Sequence, residues 1–369
     1  MLVAVVTVLA ACLSRVEPPA APVATPVSPQ GAVSQDRLMA TLRAIPTKRA
    51  ALGDKEHRQG LLQTEQWIQD QLKDAGLTAV PHEFAWTTSM LEMAIRSETG
   101  SATKPPAGET PQPQRLWRNY TVDLAGTDLP REVFILSCHY DAVPNSPGAD
   151  DNGTGVAAAI ELARSLKDFK TRRTIRLAFF TLEEVGLIGS IEYVKSRRDL
   201  WKSVNPKVDP AKEETIIGMA SMEMLGFYTD KPDSQKSPIP KVGDFTPPTV
   251  GDFIAMAGIS KFRAFSQRLT AELKAAEPEL KVFTLDFLPF APPDLLRSDH
   301  APFLAAGVPA VILSDTANFR NANYHRPTDT SETIDATRFT RTVRGLAGAA
   351  YVLAEPVAVP SATPPSPGK

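Results

Sequence analysis

The spacing of apolar residues along the chain predicts helices that alternate with buried strands. Residues 61–77 carry leucine and isoleucine at nearly helical intervals, and Gly76 is a typical helix stop. Helical patterns recur at 155–166 and at 336–353. The first helix is expected only after about Ser34.

Four nearly continuous apolar runs have the length and composition of strands that are buried on both faces. They are REVFILSCHY, TIRLAFFTLEE, ETIIGMASMEML and VPAVILSD, at residues 131–140, 174–184, 214–225 and 308–315. Strands that alternate with helices in this way predict an α/β fold with a mostly parallel, mixed sheet and helices on both faces.

One large domain accounts for most of the 369 residues, and proline-rich stretches set its limits. Many of the 33 prolines lie in 18–29, 101–114, 231–248 and the C-terminus, and such stretches predict loops and linkers. The expected organisation is an apolar signal-like segment at 1–11, a Pro/Ala-rich linker at 12–34, one folded domain at 35–355 and a disordered tail at 356–369.

Composition narrows the class of protein. The net charge of −2 and pI near 6.3 lack the basic character of a dedicated nucleic-acid binder, so no nucleic acid is expected as a partner. With only two cysteines, a disulfide framework is not expected. Cys138 ends an apolar strand and is predicted to be a buried small hydrophobe.

The other cysteine, Cys12, closes the apolar stretch MLVAVVTVLAAC, which is too short to span a bilayer as a helix. Its last four residues resemble a bacterial lipobox, in which the cysteine is lipidated after signal cleavage. The resemblance implies an exported protein that is anchored through Cys12 on the periplasmic side of a bacterial membrane, with residues 18–29 as a tether.

Metal-binding residue types follow each of the predicted strands. They are His139 and Asp141, Asp150 and Asp151, Glu183 and Glu184, Glu223, and His325. Each alone has an ordinary explanation, such as a helix cap or a solvated pair, but the carboxyl ends of the strands meet at one edge of an α/β sheet. Imidazole with carboxylate, and no thiolate beyond a buried cysteine, suits a catalytic Zn²⁺ site. Two neighbouring cations would need a bridging carboxylate to offset their repulsion.

Four motifs in this order, HYD, GADDNGTG, EEVGLIGS and SDHAPF, resemble the dinuclear zinc aminopeptidases, whose relatives include glutamate carboxypeptidases and glutaminyl cyclases. The resemblance covers most of residues 115–340. It implies a three-layer phosphorylase/hydrolase-like fold and a zinc peptidase catalytic domain that binds two Zn²⁺ ions.

The resemblance also implies a role for each matching residue. His139 would ligate one zinc and His325 the other, with Asp151 bridging the two. Glu184 would complete the second site and Glu223 the first, at a position where many members carry Asp.

Further roles follow from the same resemblance. Glu183 would be the general base, and the Tyr324 hydroxyl would hydrogen-bond the oxyanion. Asp141 would accept the other N–H of His139, whereas Asp150 would hold the loop.

Arg297, Asp299 and His300 match a substrate-side segment and would line the pocket. His57 and His82 lie outside every motif and are expected at the surface.

The leading interpretation is a zinc aminopeptidase that releases N-terminal residues from peptides. A carboxypeptidase would need cations for the substrate carboxylate, and Arg297, Arg320 and Arg326 are available. Glutaminyl cyclases generally keep one zinc and lack the first histidine ligand, so His139 argues against that reaction. A catalytically inert binding module should have lost ligands, and none is missing.

Overall fold

The computed structural model describes residues 28–86, 115–241, 245–289 and 291–357. Its strands, in chain order, are β1 (Val80–Trp86), β2 (Arg115–Leu124), β3 (Leu129–His139), β4 (Arg173–Phe180), β5 (Thr215–Glu223), β6 (Ile254–Ala257), β7 (Val282–Leu285) and β8 (Ala310–Ser314). Its α-helices are α1 (Pro29–Ala32), α2 (Gln35–Ala44), α3 (Lys55–Asp74), α4 (Gly155–Leu166), α5 (Ile188–Arg197), α6 (Arg263–Ala276), α7 (His300–Ala305) and α8 (Ala336–Leu353). In these ranges, none of the helices combines the length and apolar character needed to cross a bilayer.

The eight strands form one mixed sheet in the order β1-β2-β4-β3-β5-β8-β6-β7. Its centre, β4-β3-β5-β8, is parallel, which places the carboxyl ends of these strands at one edge. The outer pairs β1-β2, β2-β4 and β6-β8 are antiparallel, whereas β6 and β7 are parallel. The predicted α/β fold with a mostly parallel, mixed sheet is confirmed.

Alternate side chains of β3 enter two separate cores, because successive residues of a strand point to opposite faces. Phe134, Leu136 and Cys138 join the core that also contains residues of α2, α3, α4, α6 and α8. Val133 and Ile135 join a second core with residues of α5 and α7. Both faces of the sheet are therefore covered by helices, and the continuous apolar pattern of the strand is explained.

The elements predicted from periodicity are all present, and two of them differ most from the prediction at their ends. The helix predicted at 61–77 begins earlier, at Lys55, where the Asp54 side chain accepts a hydrogen bond from the backbone N–H of His57. The strand predicted to reach Glu184 ends at Phe180 instead. Leu182 has a φ of +57°, so the chain turns there and Glu183 and Glu184 lie in the following turn.

The fold begins slightly before residue 35. Helix α1 and the buried Val33 pack against the domain, so residues 28–34 are not part of a free linker. The antiparallel strands β1 and β2 and the four-residue strands β6 and β7 also lack a clear sequence signal. Cys12, most of the proposed linker and the residues after 357 lie outside the described ranges.

Candidate metal centre

The parallel strands bring the predicted ligands to one edge of the sheet. His139 ends β3 and Glu223 ends the neighbouring strand β5. Asp151 lies at a non-helical kink just before α4, Glu184 follows β4, and His325 lies in a turn between β8 and α8. His325 has a φ of +57°, so its backbone adopts the left-handed conformation.

Asp151 lies between the two histidines. Its Oδ1 is 3.3 Å from Nε2 of His139, and its Oδ2 is 3.1 Å from Nε2 of His325. Glu223 Oε1 is 3.3 Å from the same nitrogen of His139, and Glu184 Oε2 is 3.1 Å from the same nitrogen of His325. This gives two sets of ligand atoms, one around each imidazole, that share the carboxylate of Asp151.

Ligand atoms also cluster more widely within the described part of the chain. Atoms of His139, Glu183 and Glu223 lie within 4.8 Å of one another, as do atoms of His139, Asp151 and Glu184. Glu183 Oε2 is 3.9 Å from His139 Nε2, which is farther than the oxygens of Asp151 and Glu223. The distances therefore suit Glu183 as a group beside the site rather than in the inner ligand set.

Burial and mutual repulsion change the acid–base behaviour of this cluster. Burial raises the pKa of Glu183 well above its usual value, and it raises the pKa of Glu184 to about 7, with the Asp151 charge adding to the effect. Burial alone would lower the pKa of both histidines, but the surrounding carboxylates outweigh it. The pKa of His325 rises to about 10.

The buried imidazole and carboxylate groups of this cluster suit the binding of cations. Glu184 Oε1 is a buried atom without a hydrogen-bond partner among the described residues, and His325 Nε2 faces two carboxylate oxygens at 3.1 Å. Buried carboxylates with raised pKa values, a carboxylate oxygen without a partner and imidazole nitrogens that face the same carboxylates form a donor set that suits bound cations. Nitrogen and oxygen ligands in this mixture suit Zn²⁺.

Asp141 supports the site differently from the prediction. Nδ1 of His139 donates to the backbone carbonyl of Asp141 at 3.1 Å, whereas the Asp141 carboxylate is 3.6 Å away. That carboxylate instead accepts hydrogen bonds from the backbone N–H groups of Glu183 and Glu184, at 3.1 and 3.2 Å. One residue therefore fixes the imidazole through its carbonyl and the adjacent glutamates through its side chain.

Asp150 connects three loops next to the site. Its carboxylate accepts hydrogen bonds from Gly226 N–H and from the Asn321 side chain, both at 2.9 Å. Burial and the nearby Asp315 raise the pKa of Asp150 well above its usual value. This arrangement ties the Asp151 turn to the segment that carries His325.

Tyr324 contacts both the candidate ligand His325 and the guanidinium of Arg297. Its ring stacks on the imidazole of His325, with ring centroids 3.8 Å apart, and its hydroxyl accepts a hydrogen bond from Arg297 Nη2 at 2.8 Å. Burial and the charges of Asp151 and Glu184 raise the pKa of Tyr324 above its usual value, so the hydroxyl keeps its proton.

A cleft of about 1000 Å³, including its open mouth, begins at the candidate metal-binding carboxylates. Much of the remaining lining is apolar and comes from residues 239–256, from β7, from the turn before α7 and from β8. The residues of this apolar wall include Ile239, Phe245, Phe253, Met256, Phe283, Leu285, Leu295 and Ile312.

Two of the three predicted pocket residues do not line this cleft. Arg297 does, but Asp299 and His300 are buried where α7 begins. Of the other candidate cations, Arg320 is buried and donates to Gln235 and to two backbone carbonyls, and Arg326 does not line the cleft. The sequence predicted that the segment 297–300 lies near the site, but the tertiary packing determines which of its side chains face the cleft.

The two histidines outside the motifs contact residues other than the candidate ligands. His57 pairs with Asp54 and with the carbonyl of Pro144. Both are half-buried rather than fully at the surface, and the ring of His82 packs against Phe84 and Tyr193.

Sequence reasoning missed three residues that support the site. Ser298 Oγ donates to Glu223 Oε2 at 2.8 Å, and Asp329 accepts hydrogen bonds from the backbone N–H groups of Asp150 and Asp151. Arg49 is fully buried and donates to the carbonyls of Pro46, Tyr140, Pro147 and Gly148. Asp329 stands in the same short segment as His325, which offers a weak signal, whereas Arg49 precedes every motif.

Comparison with known sequences gives a family match. The profile of "Peptidase family M28" matches residues 119–350. The uncharacterised protein YfbL of Escherichia coli is 30% identical over 239 residues, which cover 62% of this chain and 69% of YfbL. The probable lipoprotein aminopeptidase LpqL of Mycobacterium tuberculosis is 27% identical over 75% of this chain, and the match spans about half of LpqL, at 53%.

Comparison with solved structures supports the fold. An aminopeptidase from Aneurinibacillus sp. strain AM-1 superposes with a TM-score of 0.59 at 17% identity, covering 89% of this chain and 96% of that one. A glutaminyl cyclase from Fimbriiglobus ruber gives a TM-score of 0.57 at 17% identity, covering 87% and 95%. Proteins with either activity therefore share this architecture, and the fold by itself does not choose between them.

Proposed function

The chain belongs to peptidase family M28, and from that premise we propose that it is an aminopeptidase that uses two Zn²⁺ ions. Family membership confirms the metallopeptidase class predicted from the sequence. The proposal of two ions rests on one observation: the two oxygens of Asp151 face different histidines, at 3.3 and 3.1 Å. A carboxylate in that position suits a bridge between two cations.

Each ion would have its own set of protein ligands. His139 and Glu223 would hold one ion, His325 and Glu184 the other, and Asp151 would contact both. When bound, the ions would supply Lewis-acid chemistry, which polarises the scissile carbonyl and makes a water molecule more acidic.

The protein's own groups then move protons and orient the substrate. Glu183 lines the cleft with its carboxylate outside the inner ligand set, so it can take a proton from the attacking water and deliver it to the leaving amine. The Tyr324 hydroxyl can donate to the negative oxygen that develops on the carbonyl. The excess of carboxylates at this end of the cleft would attract the free α-amine of a peptide.

The apolar wall supports an apolar residue at the N-terminus of the substrate. Phe253 and Phe283 lie 5.5 Å apart between ring centroids, so the wall is aromatic as well as aliphatic. The Gln235 amide faces the cleft, but its nitrogen donates to Lys236 O and Thr316 Oγ1 and its oxygen accepts from Arg320. Among the described residues, the charged ones that line the cleft outside its carboxylate end are Lys236, Asp294 and Arg297, so the aromatic and aliphatic wall itself offers a charged side chain no ionic partner.

A substrate panel tests the proposal with the zinc-loaded protein. Leucyl- and phenylalanyl-naphthylamides should be hydrolysed, and lysyl- and glutamyl-naphthylamides should be poor substrates. N-acetyl-leucyl-naphthylamide should resist hydrolysis because it lacks the free amine. Preferential release of C-terminal residues from N-blocked peptides would instead indicate a carboxypeptidase.

The glutaminyl cyclase alternative has its own test on the same scaffold. A cyclase would convert peptides with N-terminal Gln to pyroglutamyl peptides without hydrolysis of the naphthylamides. The proximity of His139 to Asp151 and Glu223 favours a second cation and therefore the peptidase. Release of ammonia from Gln peptides with no amine release from leucyl substrates would overturn the proposal.

We also propose that the protein is exported and held at a membrane through Cys12. The lipobox-like LAAC motif and the similarity to LpqL, which is named a probable lipoprotein aminopeptidase, support this location. Expression of the full chain in a bacterium with labelled fatty acid should label the protein, and Cys12→Ala should abolish the label. Unlabelled wild-type protein with Met1 intact would rule out the anchor.

A further inference from the structure

Arg297 is bound to the tyrosine beside the metal centre. Its Nη2 donates to the Tyr324 hydroxyl at 2.8 Å, and its Nη1 donates to Asn318 Oδ1 at 3.1 Å. Arg297, Asn318 and Tyr324 all line the cleft that contains the metal-binding carboxylates. The guanidinium is therefore held on both terminal nitrogens by neutral oxygen acceptors.

This contact restricts the direction of the hydroxyl proton. A tyrosine hydroxyl has one O–H donor and can also accept hydrogen bonds, whereas a guanidinium only donates. Because Arg297 occupies an acceptor position of the Tyr324 oxygen, the O–H must point away from the arginine. The Tyr324 ring stacks on His325, which limits rotation of the side chain, and Tyr324 lines the cleft, so a proton directed away from the arginine is available to a substrate there.

We propose that Arg297 is a positioning residue that keeps the Tyr324 hydroxyl available as a donor to the reacting carbonyl group of the substrate. Without the arginine, the hydroxyl could turn its proton towards Asn318 or solvent. The competing role is recognition of a substrate carboxylate, as in a carboxypeptidase. Asp294 weakens that alternative, because its carboxylate lies 3.8 Å from Arg297 Nη1 and repels a second anion.

The inference rests on the proposed hydrolysis, and a double-mutant cycle tests it with the zinc-loaded enzyme. The variants are Arg297→Met, Tyr324→Phe and the combination of both. Loss of an oxyanion donor typically lowers kcat about 100- to 1000-fold, so Tyr324→Phe should lose activity on this scale. Arg297→Met should lower kcat more than it raises KM, and Arg297→Lys should lose less than Arg297→Met.

Non-additivity is the deciding result. If Arg297 acts through Tyr324, the double variant should match Tyr324→Phe within about twofold. Losses that multiply would overturn the proposal, because the arginine would then act independently of the hydroxyl. Leucyl-alanine and leucyl-alaninamide provide a second comparison, since carboxylate recognition predicts a rise in KM in Arg297→Met for the free acid alone.

A measurement without metal or turnover separates this inference from the proposed function. In the metal-free protein, the ¹³Cζ resonance of Tyr324, assigned by its loss in Tyr324→Phe, should shift in Arg297→Met. Arg172→Met is a matched control, because Arg172 is 45% exposed against 44% for Arg297 but pairs with Asp128 and Glu355 instead. An unchanged resonance in Arg297→Met would overturn the positioning role even if the enzyme proved inactive on every substrate.

Discussion

Substitution by glutamine should have different effects at the adjacent residues Glu183 and Glu184. Glu183→Gln should lower turnover, and Glu184→Gln should weaken zinc binding. Both are buried or nearly so, and glutamine preserves their volume. The Glu183 carboxylate accepts no hydrogen bond from the described residues, so Glu183→Gln should leave the local packing intact. Glu184 Oε2 lies 3.1 Å from His325 Nε2, so Glu184→Gln alters the ligand set itself.

For Glu183→Gln, the expected loss is in turnover. Removal of a general base typically lowers the rate about 100- to 10,000-fold. At about 1.36 kcal/mol for each factor of ten, this corresponds to about 2.7–5.4 kcal/mol of transition-state stabilisation. For Glu184→Gln, zinc affinity should fall by at least the roughly 10- to 100-fold that loss of a ligand's supporting hydrogen bond costs.

The thermal stability of the metal-free proteins provides a third measurement, and the direction of the expected change follows from the pKa of Glu183. Burial raises the folded-state pKa of Glu183 above its usual 4.5, so the favourable contribution of the protonated carboxyl is full below pH 4.5. That contribution is lost as the pH rises towards the raised pKa, whereas glutamine does not titrate. Glu183→Gln should therefore melt close to wild type at pH 4 and above it at pH 7.

Zinc competition with a chelator, initial rates with leucyl-naphthylamide and melting curves of the metal-free proteins together test the assignment. Near-normal turnover in Glu183→Gln would refute the base assignment. Loss of zinc from Glu183→Gln, with normal zinc affinity in Glu184→Gln, would show that the two roles are reversed.

Three further predictions follow from the site. Metal analysis after dialysis should find two zinc equivalents in wild type and fewer in His139→Ala; one equivalent in both would contradict the two-ion site. Ser298→Ala removes the donor to Glu223 and should weaken zinc binding about 10- to 100-fold in a chelator titration, with Ser237→Ala as the control. Phe283→Ala should lower kcat/KM for phenylalanyl substrates about tenfold relative to alanyl substrates. An unchanged ratio of these two kcat/KM values would show that Phe283 in the apolar wall does not determine specificity.

Much of the central architecture was determined by the sequence alone. The apolar runs that became β3, β5 and β8 are continuous because strands in the centre of this sheet are buried on both faces. The acidic and histidine residues that follow these runs had to meet, because the carboxyl ends of parallel strands share an edge. His139 and Glu223 illustrate this rule, since they end neighbouring strands.

The tertiary structure decided what depends on contacts between distant segments. Arg49 supports the loop between His139 and Asp151 through backbone carbonyls, and such contacts leave no pattern in the sequence around the motifs. Asp299 and His300 stand two and three residues after Arg297, yet Arg297 faces the cleft and they do not, because the start of α7 turns their side chains into the protein.

The direction of each polar side chain is set by the same long-range packing. The sequence placed Asp141 beside His139 but did not show that its carboxylate would bind the backbone of Glu183 and Glu184, 42 and 43 residues away. It placed Tyr324 next to His325 but did not show that Arg297 would hold the hydroxyl. Periodicity and strand order report which residues are near the site, whereas hydrogen bonds between distant segments determine what each residue there can do.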